Sequence, residues 1–495
     1  MAGNFFTIMN EKKEEESEVT LDTIDFFLLF FILIVSFIIR YWRISLPSSV
    51  VFDEVYFGNF SNFYIKSQFY YDIHPPLAKI LMFVIANLSE YDGSINFNNC
   101  PKGYPIPDYV QLRITPATFS ALCFPLIYVA MRFSKFGYLS SFCAAVMALC
   151  DTSLATEGRQ ILTDGILHFF TCLHVAVLSY TLNLTKRRSK FYVYHILTGL
   201  TLGAACSCKN TAWGLTVLDA FAYIVKFTDI WNIGVLDYLF DVGVFGGTLA
   251  FLGIFVYCLS FYIHFILLPY AGPGYGYLRP DMKAQLIPNK HGGASLNAVV
   301  LKKPSLLERT FILTFRMHRG NMGIRGFHDS RSFPKHWPVL GSVSVYFWGR
   351  GECQIRCWGN AIVYYLILFG LVACVFSIYW RPKWLIALRF VVGYCVSYFP
   401  FFWIPRTLYL YHYLIPLIFG CMSFGAATEM LISARYRGIF VVFILSACAF
   451  GYWLWSPYVY GTKPHDKEMM IWTQRWIDGD EAHKLARIEH RKNKK

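Results

Sequence analysis

The chain has 495 residues, of which 56% are hydrophobic, 19% aromatic and only 15% charged, with a mean hydropathy of +0.41. Soluble domains of this length carry more charge and fewer apolar runs, so the composition excludes a soluble enzyme and indicates a polytopic membrane protein. The net charge of +14 is not a nucleic-acid signal, because its basic clusters flank apolar segments, where they set topology.

Residues 1–24 contain EKKEEESE and read as a charged cytosolic tail. No small-residue cleavage signal follows the apolar run Phe26–Ile39, which reads as a retained signal anchor. A membrane helix needs ~20 apolar residues. Spans are expected at 25–44, 113–133, 136–152, 160–182, 191–208, 211–227, 240–267, 357–379, 383–400, 407–430 and 437–456. Ile80 to Leu88 is too short to span and reads as an interfacial piece of the first loop.

That loop, 45–112, contains FDEVYFGNFSNFYIKSQFYYDIHPPLAK from Phe52 to Lys79. Asp53, Glu54, Asp72, His74 and Lys79 gather there in a chain poor in charge. Ionisable groups at a membrane face are expensive and tend to mark a site. Pro75 and Pro76 stop any helix before them, and Lys79 lies one turn beyond, where it can face the acids. Asp72 reads equally well as the cap of a helix starting at Pro75.

Arg113 opens the second span, at a depth where an arginine must pair or snorkel, and also reads as an ordinary interfacial anchor. Glu157, Arg159 and Asp164 share ATEGRQILTDG, as site groups or as a mutual salt bridge. Lys209, in SCKNTAWG, is placed for a phosphate or as an anchor. Segment 268–356 holds GPGYG, KHGGAS and FPKHWP, which are turn signals. Arg406 and His412 lie in PRTLYLYHYLIP; the arginine fork suits phosphate, while the aromatics also fit an interface belt. Trp472, Trp476 and Ile477 predict a short interfacial helix in the tail 457–495, before the basic end Arg491 to Lys495. Cys353 and Cys357 are open to a disulfide or to free thiols, and no spacing reads as a metal site.

The basic loops at Arg132 and Lys135, Lys186-Arg187-Arg188, Arg381 and Lys383, and Arg435 and Arg437 fall on one side, the cytosolic one. The Asp53 loop, the Glu157–Arg159 turn, segment 268–356, the Arg406 turn and the C-terminus fall on the other.

FDEVYFG…DIHPPLAK resembles the first luminal loop of the protein O-mannosyltransferases, the dolichyl-phosphate-mannose-protein mannosyltransferase family. LLPYAGPGYGYLRP, HDSRSFPKHWPVL, GRGECQIRCWGN and PRTLYLYHYLIP resemble later stretches of it. The resemblance runs from Asp53 to Pro457. It implies an all-α polytopic C-type glycosyltransferase fold, with a transmembrane module 25–267 and C-terminal membrane helices 357–456. It implies an endoplasmic reticulum enzyme with cytosolic N-terminus and luminal C-terminus. The reaction is transfer of mannose from dolichyl-phosphate mannose to Ser or Thr of luminal proteins, with inversion.

By resemblance the catalytic residues are Asp53, Glu54 and Asp72, with Asp53 the base. Arg113, Lys209, Arg406 and His412 are donor phosphate-binding, with His74 and Lys79 supporting. Arg113 or Lys79 is the cation expected to keep Asp53 ionised. No metal and no cofactor beyond the lipid-linked donor is implied; the partners are acceptor proteins and a second copy or a paralogue in a dimer. Family members usually carry a β-trefoil MIR module in the large luminal loop. Here Pro288 to Pro304 runs almost directly to the post-module motif, so the module is expected to be missing. Competing readings are another dolichyl-phosphate-dependent glycosyltransferase, a non-catalytic partner subunit and, more weakly, a transporter.

Overall fold

Asp22 starts the first membrane helix. Its carboxylate accepts from the backbone N–H groups of Ile24 (2.9 Å) and Asp25 (3.1 Å), and the Asp25 carboxylate accepts from the Asp22 N–H (3.0 Å). This capping box satisfies donors that a helix start leaves without partners. The computed structural model describes residues 19–100, 103–104, 107–185, 189–226, 234–288, 302–377, 383–473, 475–478, 484–485 and 488–490. The expectations for Lys186-Arg187-Arg188, Arg381, Arg491 to Lys495, most of the N-terminal tail and 289–301 lie outside these residues.

The first helix, α1 (Thr23–Tyr41), is followed by the short α2 (Glu54–Ile65) and α3 (Leu77–Leu88). Then come α4 (Tyr109–Phe133), α5 (Tyr138–Leu149), α6 (Thr152–Glu157), α7 (Asp164–Asn183), α8 (Ser189–Cys208), α9 (Leu215–Lys226) and α10 (Val235–Leu267). The loop region contributes α11 (Leu306–Met322) and an antiparallel hairpin, β1 (Val345–Arg350) and β2 (Cys353–Cys357). The chain continues through α12 (Ala361–Phe376), α13 (Trp384–Tyr398), α14 (Leu414–Leu431) and α15 (Ala434–Tyr460).

Among the described residues, eight helices are long and apolar enough to cross a bilayer: α1, α4, α7, α8, α10, α13 with its 3₁₀ continuation to Phe402, α14 with the 3₁₀ turn that leads into it from Leu410, and α15. The other three expected spans fall on α5, α9 and α12, of 12, 12 and 16 residues. The difference lies in continuity. The apolar run at 136–152 breaks where the Asp151 carboxylate accepts from the Leu154 N–H (2.8 Å) and caps α6. Segment 268–356, read as loop, contains a 17-residue helix and the hairpin. The half-buried Cys353 and the buried Cys357 are free thiols. They lie at i and i+4 of one strand, ~13 Å apart at the usual rise, which no disulfide spans.

Helix α7 packs between α4 and α8, and α14 packs against α12, α13 and α5. Small residues allow these close approaches. A Cβ on Gly370 of α12 would lie 2.5 Å from Phe424 Cα, and one on Gly425 of α14 would lie 2.7 Å from the Ser140 carbonyl.

The two ends of the bundle differ in chemistry. At one end Arg132 holds Asp25 (2.6 Å), Asn183 donates to the Phe133 carbonyl, Lys383 holds Glu429 (2.8 Å) and Arg437 donates to the Glu429 carbonyl (2.9 Å). The described basic loops therefore share one end with the start of α1. Asp53, Glu157, Lys209 and Arg406 collect at the other.

Candidate active site

The residue before Asp53 is strained. Phe52 has φ of 50°, a conformation that a bulky residue keeps only where its surroundings fix it. The hairpin supplies that fixation. Its register shifts between Tyr346 and Trp348, and such a bulge re-aims a side chain. Phe347, at the shift, accepts the Phe52 N–H at 3.0 Å and stacks on its ring with centroids 4.2 Å apart. Asp53 is then the N-cap residue of α2, but its carboxylate makes no capping hydrogen bond and stays available. Burial pushes its pKa up to about 6, against the pull of Lys209 and Arg406 and with the push of Asp164 and Asp72. The cations facing Asp53 are thus Lys209 and Arg406, not the expected Arg113 or Lys79.

Glu54 and Arg113 form a closed pair. Both are fully buried. Arg113 donates Nε to Glu54 at 2.7 Å and Nη2 at 2.8 Å, and its remaining N–H groups go to the carbonyls of Ile44, Pro47 and Ser49. A guanidinium has five N–H donors, so none is left for a phosphate. Glu54 also accepts from Tyr104 Oη (2.8 Å) and the backbone N–H groups of Val51 (2.9 Å) and Ile161 (3.1 Å). Glu54 was expected to be catalytic and Arg113 to bind the donor phosphate; in this arrangement each is taken up by the other and by the backbone around them. This pair ties the start of α2 to α4 and to the turn before α7.

Asp72 is not a helix cap. Helix α3 begins at Leu77 behind Pro76, without a side-chain cap, and Asp72 pairs with Lys79 instead. Lys79 Nζ also donates to the His74 carbonyl at 2.7 Å, so the DIHPPLAK string closes on itself. Lys79 is thereby committed to its own loop. His74 has its Nδ1 buried without a partner. Burial, reinforced by Lys209 and Lys79, holds that imidazole neutral, well below its ordinary pKa.

Lys209 precedes the short turn Asn210–Gly214 and pairs with Asp164 at the start of α7, at 2.9 and 3.3 Å. An ammonium has three N–H donors, so one remains. Arg406 donates Nη1 to Asn321 Oδ1 and Nε to the Thr407 carbonyl (3.1 Å), leaving Nη2. His412 is set by Tyr409, whose N–H lies 3.2 Å from its Nδ1, and its ring stacks on Tyr411 at 4.5 Å.

Glu157 is the last residue of α6. It is 1% exposed, its Oε1 has no partner, and burial with Asp164 nearby raises its pKa well above the ordinary value. The alternative mutual salt bridge does not form. Arg159 points away, donating to the Trp42 carbonyl and lying 4.4 Å over the Tyr460 ring. Asn321 and Phe347 were missed altogether, because both belong to elements that the turn signals concealed. Among the described residues no group of three His, Cys, Asp or Glu could hold a metal ion.

An available carboxylate thus faces two cations that each retain a free donor. Residues 30–269 match a family model described as dolichyl-phosphate-mannose-protein mannosyltransferase, and residues 306–479 match the C-terminal four TMM region of protein-O-mannosyltransferase. The chain belongs to the dolichyl-phosphate-mannose-protein mannosyltransferase family. Among curated mannosyltransferases, number 2 of Candida albicans is 34% identical over 271 residues, 52% of this chain and 34% of that protein. Number 4 of Schizosaccharomyces pombe is 31% identical over 348 residues, 66% of this chain and 42% of that protein. The chain spans between a third and a half of the length of such mannosyltransferase relatives. A chain of the S. cerevisiae protein O-mannosyltransferase Pmt1–Pmt2 complex bound to the sugar donor shares the fold, with TM-score 0.83 at 19% identity, covering 97% of this chain and 96% of that one. ArnT from Cupriavidus metallidurans bound to undecaprenyl phosphate is more distant, with TM-score 0.50 at 11% identity, covering 88% and 76%. The fold is the multi-pass C-type glycosyltransferase fold of the mannosyltransferase family, and the expected all-α chain is mostly helical with one β-hairpin.

Proposed function

We propose that this chain transfers mannose from dolichyl-phosphate mannose to Ser and Thr hydroxyls of secretory-pathway proteins. The observation that carries the reading is Asp53, a carboxylate without a hydrogen-bond partner, facing Lys209 and Arg406. A transfer to a hydroxyl needs a base within reach of its proton and positive charge at the departing phosphate. The acceptor oxygen attacks the anomeric carbon and its proton goes to Asp53. The bond from that carbon to the phosphate oxygen breaks, and dolichyl phosphate leaves with the electron pair. Lys209 and Arg406 meet the charge that develops there. Attack opposite the leaving phosphate inverts the anomeric centre. His412, which shares its surroundings with Lys209 and Arg406, completes the donor side, and His74 is kept neutral beside it.

The bundle end that carries Asp53 is luminal and the end with Arg132, Lys383 and Arg437 cytosolic, in the endoplasmic reticulum membrane. Segment 268–356 is too short to hold an MIR module beside α11 and the hairpin, so acceptor selection falls to the transmembrane unit and to a partner, a second copy or a paralogue. Purified protein, given dolichyl-phosphate [³H]mannose and a Ser/Thr-rich peptide, tests the reading. Label should enter that peptide and not its all-Ala counterpart. No label in either peptide, from protein that binds the donor, counts against it.

A further inference from the structure

The hairpin that fixes Phe52 has a second face. From α6 the hydroxyls of Thr152 and Thr156 donate to the carbonyls of Trp358 (2.6 Å) and Arg356 (3.3 Å), so the end of β2 also holds the helix that carries Glu157. Between this hairpin and the segment after α15 lies a cavity of about 240 Å³. Glu352, Gln354, Arg356, Trp358, Tyr458 and Trp476 contribute to its lining. No part of the transfer reaction described above uses it.

The lining combines two chemistries. Trp358 and Trp476 pack with ring centroids 4.3 Å apart, and Tyr458 adds a third ring. Between them stand groups that donate and accept. Gln354 Oε1 (2.7 Å) and Ser344 Oγ (2.8 Å) orient the Arg356 guanidinium, and Lys467 (3.0 Å) orients the Glu352 carboxylate. Trp358 is 2% exposed, yet its indole N–H is buried without a partner. A buried indole N–H ordinarily finds one.

A purely aliphatic occupant would leave that N–H unpaired and offer nothing to the Gln354 amide N–H groups or the Glu352 carboxylate. A simple anion would meet Glu352. A volume of this size takes one compact group rather than a length of extended chain. A pyranose ring fits both chemistries: its C–H faces lie on aromatic rings, and its hydroxyls donate to Glu352 and Gln354 and accept from Trp358 and Arg356. We propose that the cavity is a hexose subsite, distinct from the transfer site, which takes a mannosyl group already attached to the acceptor chain. The choice of mannose rests on the transferase reading. The subsite would retain a product chain while a further hydroxyl is presented to Asp53.

The test uses the full-length protein in nanodiscs, titrated with methyl α-D-mannopyranoside and followed by saturation-transfer NMR. Trp358→Phe removes the indole N–H and keeps a ring. Glu352→Gln lies on an exposed side chain, where folding is not at risk. Each should weaken mannoside binding roughly tenfold, as expected for a lost hydrogen bond to a buried or charged group, while Asp53→Asn binds as the wild type does. No binding by the wild type, or wild-type binding by both cavity variants, overturns the subsite. Mannoside binding by protein that fails to transfer mannose supports the subsite and rejects the transferase reading. Transfer without mannoside binding does the reverse.

Discussion

In the proposed transfer Asp53 carries the chemistry, because its neighbours leave it free and hold it near a useful pKa. A base with a pKa of about 6 is deprotonated at neutral pH and takes up a proton as the pH falls. Transfer measured as kcat/KM should therefore fall on the acid side, with its limb near pH 6. Arg406 pulls the Asp53 pKa down, so Arg406→Gln should move that limb to higher pH, besides raising the donor KM; an unmoved limb would separate the two groups. Arg113 belongs to a different class. Arg113→Ala leaves the Glu54 carboxylate buried without its countercharge, which costs about 3–5 kcal/mol. Its signature is a lowered unfolding temperature, and any surviving folded protein should bind donor normally. A stable variant with a raised donor KM would return Arg113 to the phosphate site.

At the scale of elements, α2 and the β1–β2 hairpin together aim Asp53, and packed glycines keep the helices behind them in register. Gly370 of α12 faces the backbone of α14 with no room for a side chain. Gly370→Val should lower thermal stability well beyond the effect of the same change at Gly246 of α10, where a Cβ meets nothing within 4 Å. Equal melting temperatures for the two variants would mean that the α12–α14 approach is looser than described. These elements were unequally legible. The long apolar runs gave the eight crossing helices, because hydrophobic length is written in composition. The hairpin was hidden, since GRGECQIRC lacks the apolar alternation that marks a strand. The DIHPPLAK string was recognisable, but the sequence could not tell that Lys79 would turn back onto Asp72. Nor could it tell that Glu54 and Arg113, 59 positions apart, would pair with each other. Partner choice between charged side chains is settled by tertiary contacts.

At the scale of the whole molecule, charge separates the two ends of the bundle, and the proposed orientation rests on that polarity. Tyr56 and Tyr436 are both exposed, at opposite ends. With the half-buried cysteines Cys100, Cys258, Cys353 and Cys395 replaced by serine, Tyr56→Cys should react with an impermeant maleimide only from the luminal side and Tyr436→Cys only from the cytosolic side. Labelling of both from one side would break the assigned topology. The central claim is that this single polarised chain moves mannose onto a hydroxyl through Asp53. Its most direct measurement compares wild type with Asp53→Asn, scoring mannose transfer to a Ser/Thr peptide and dolichyl-phosphate-mannose binding on the same preparations. The account predicts transfer lower by ~100-fold or more with donor binding intact, the usual consequence of losing a general base. Near-normal transfer by Asp53→Asn would contradict it.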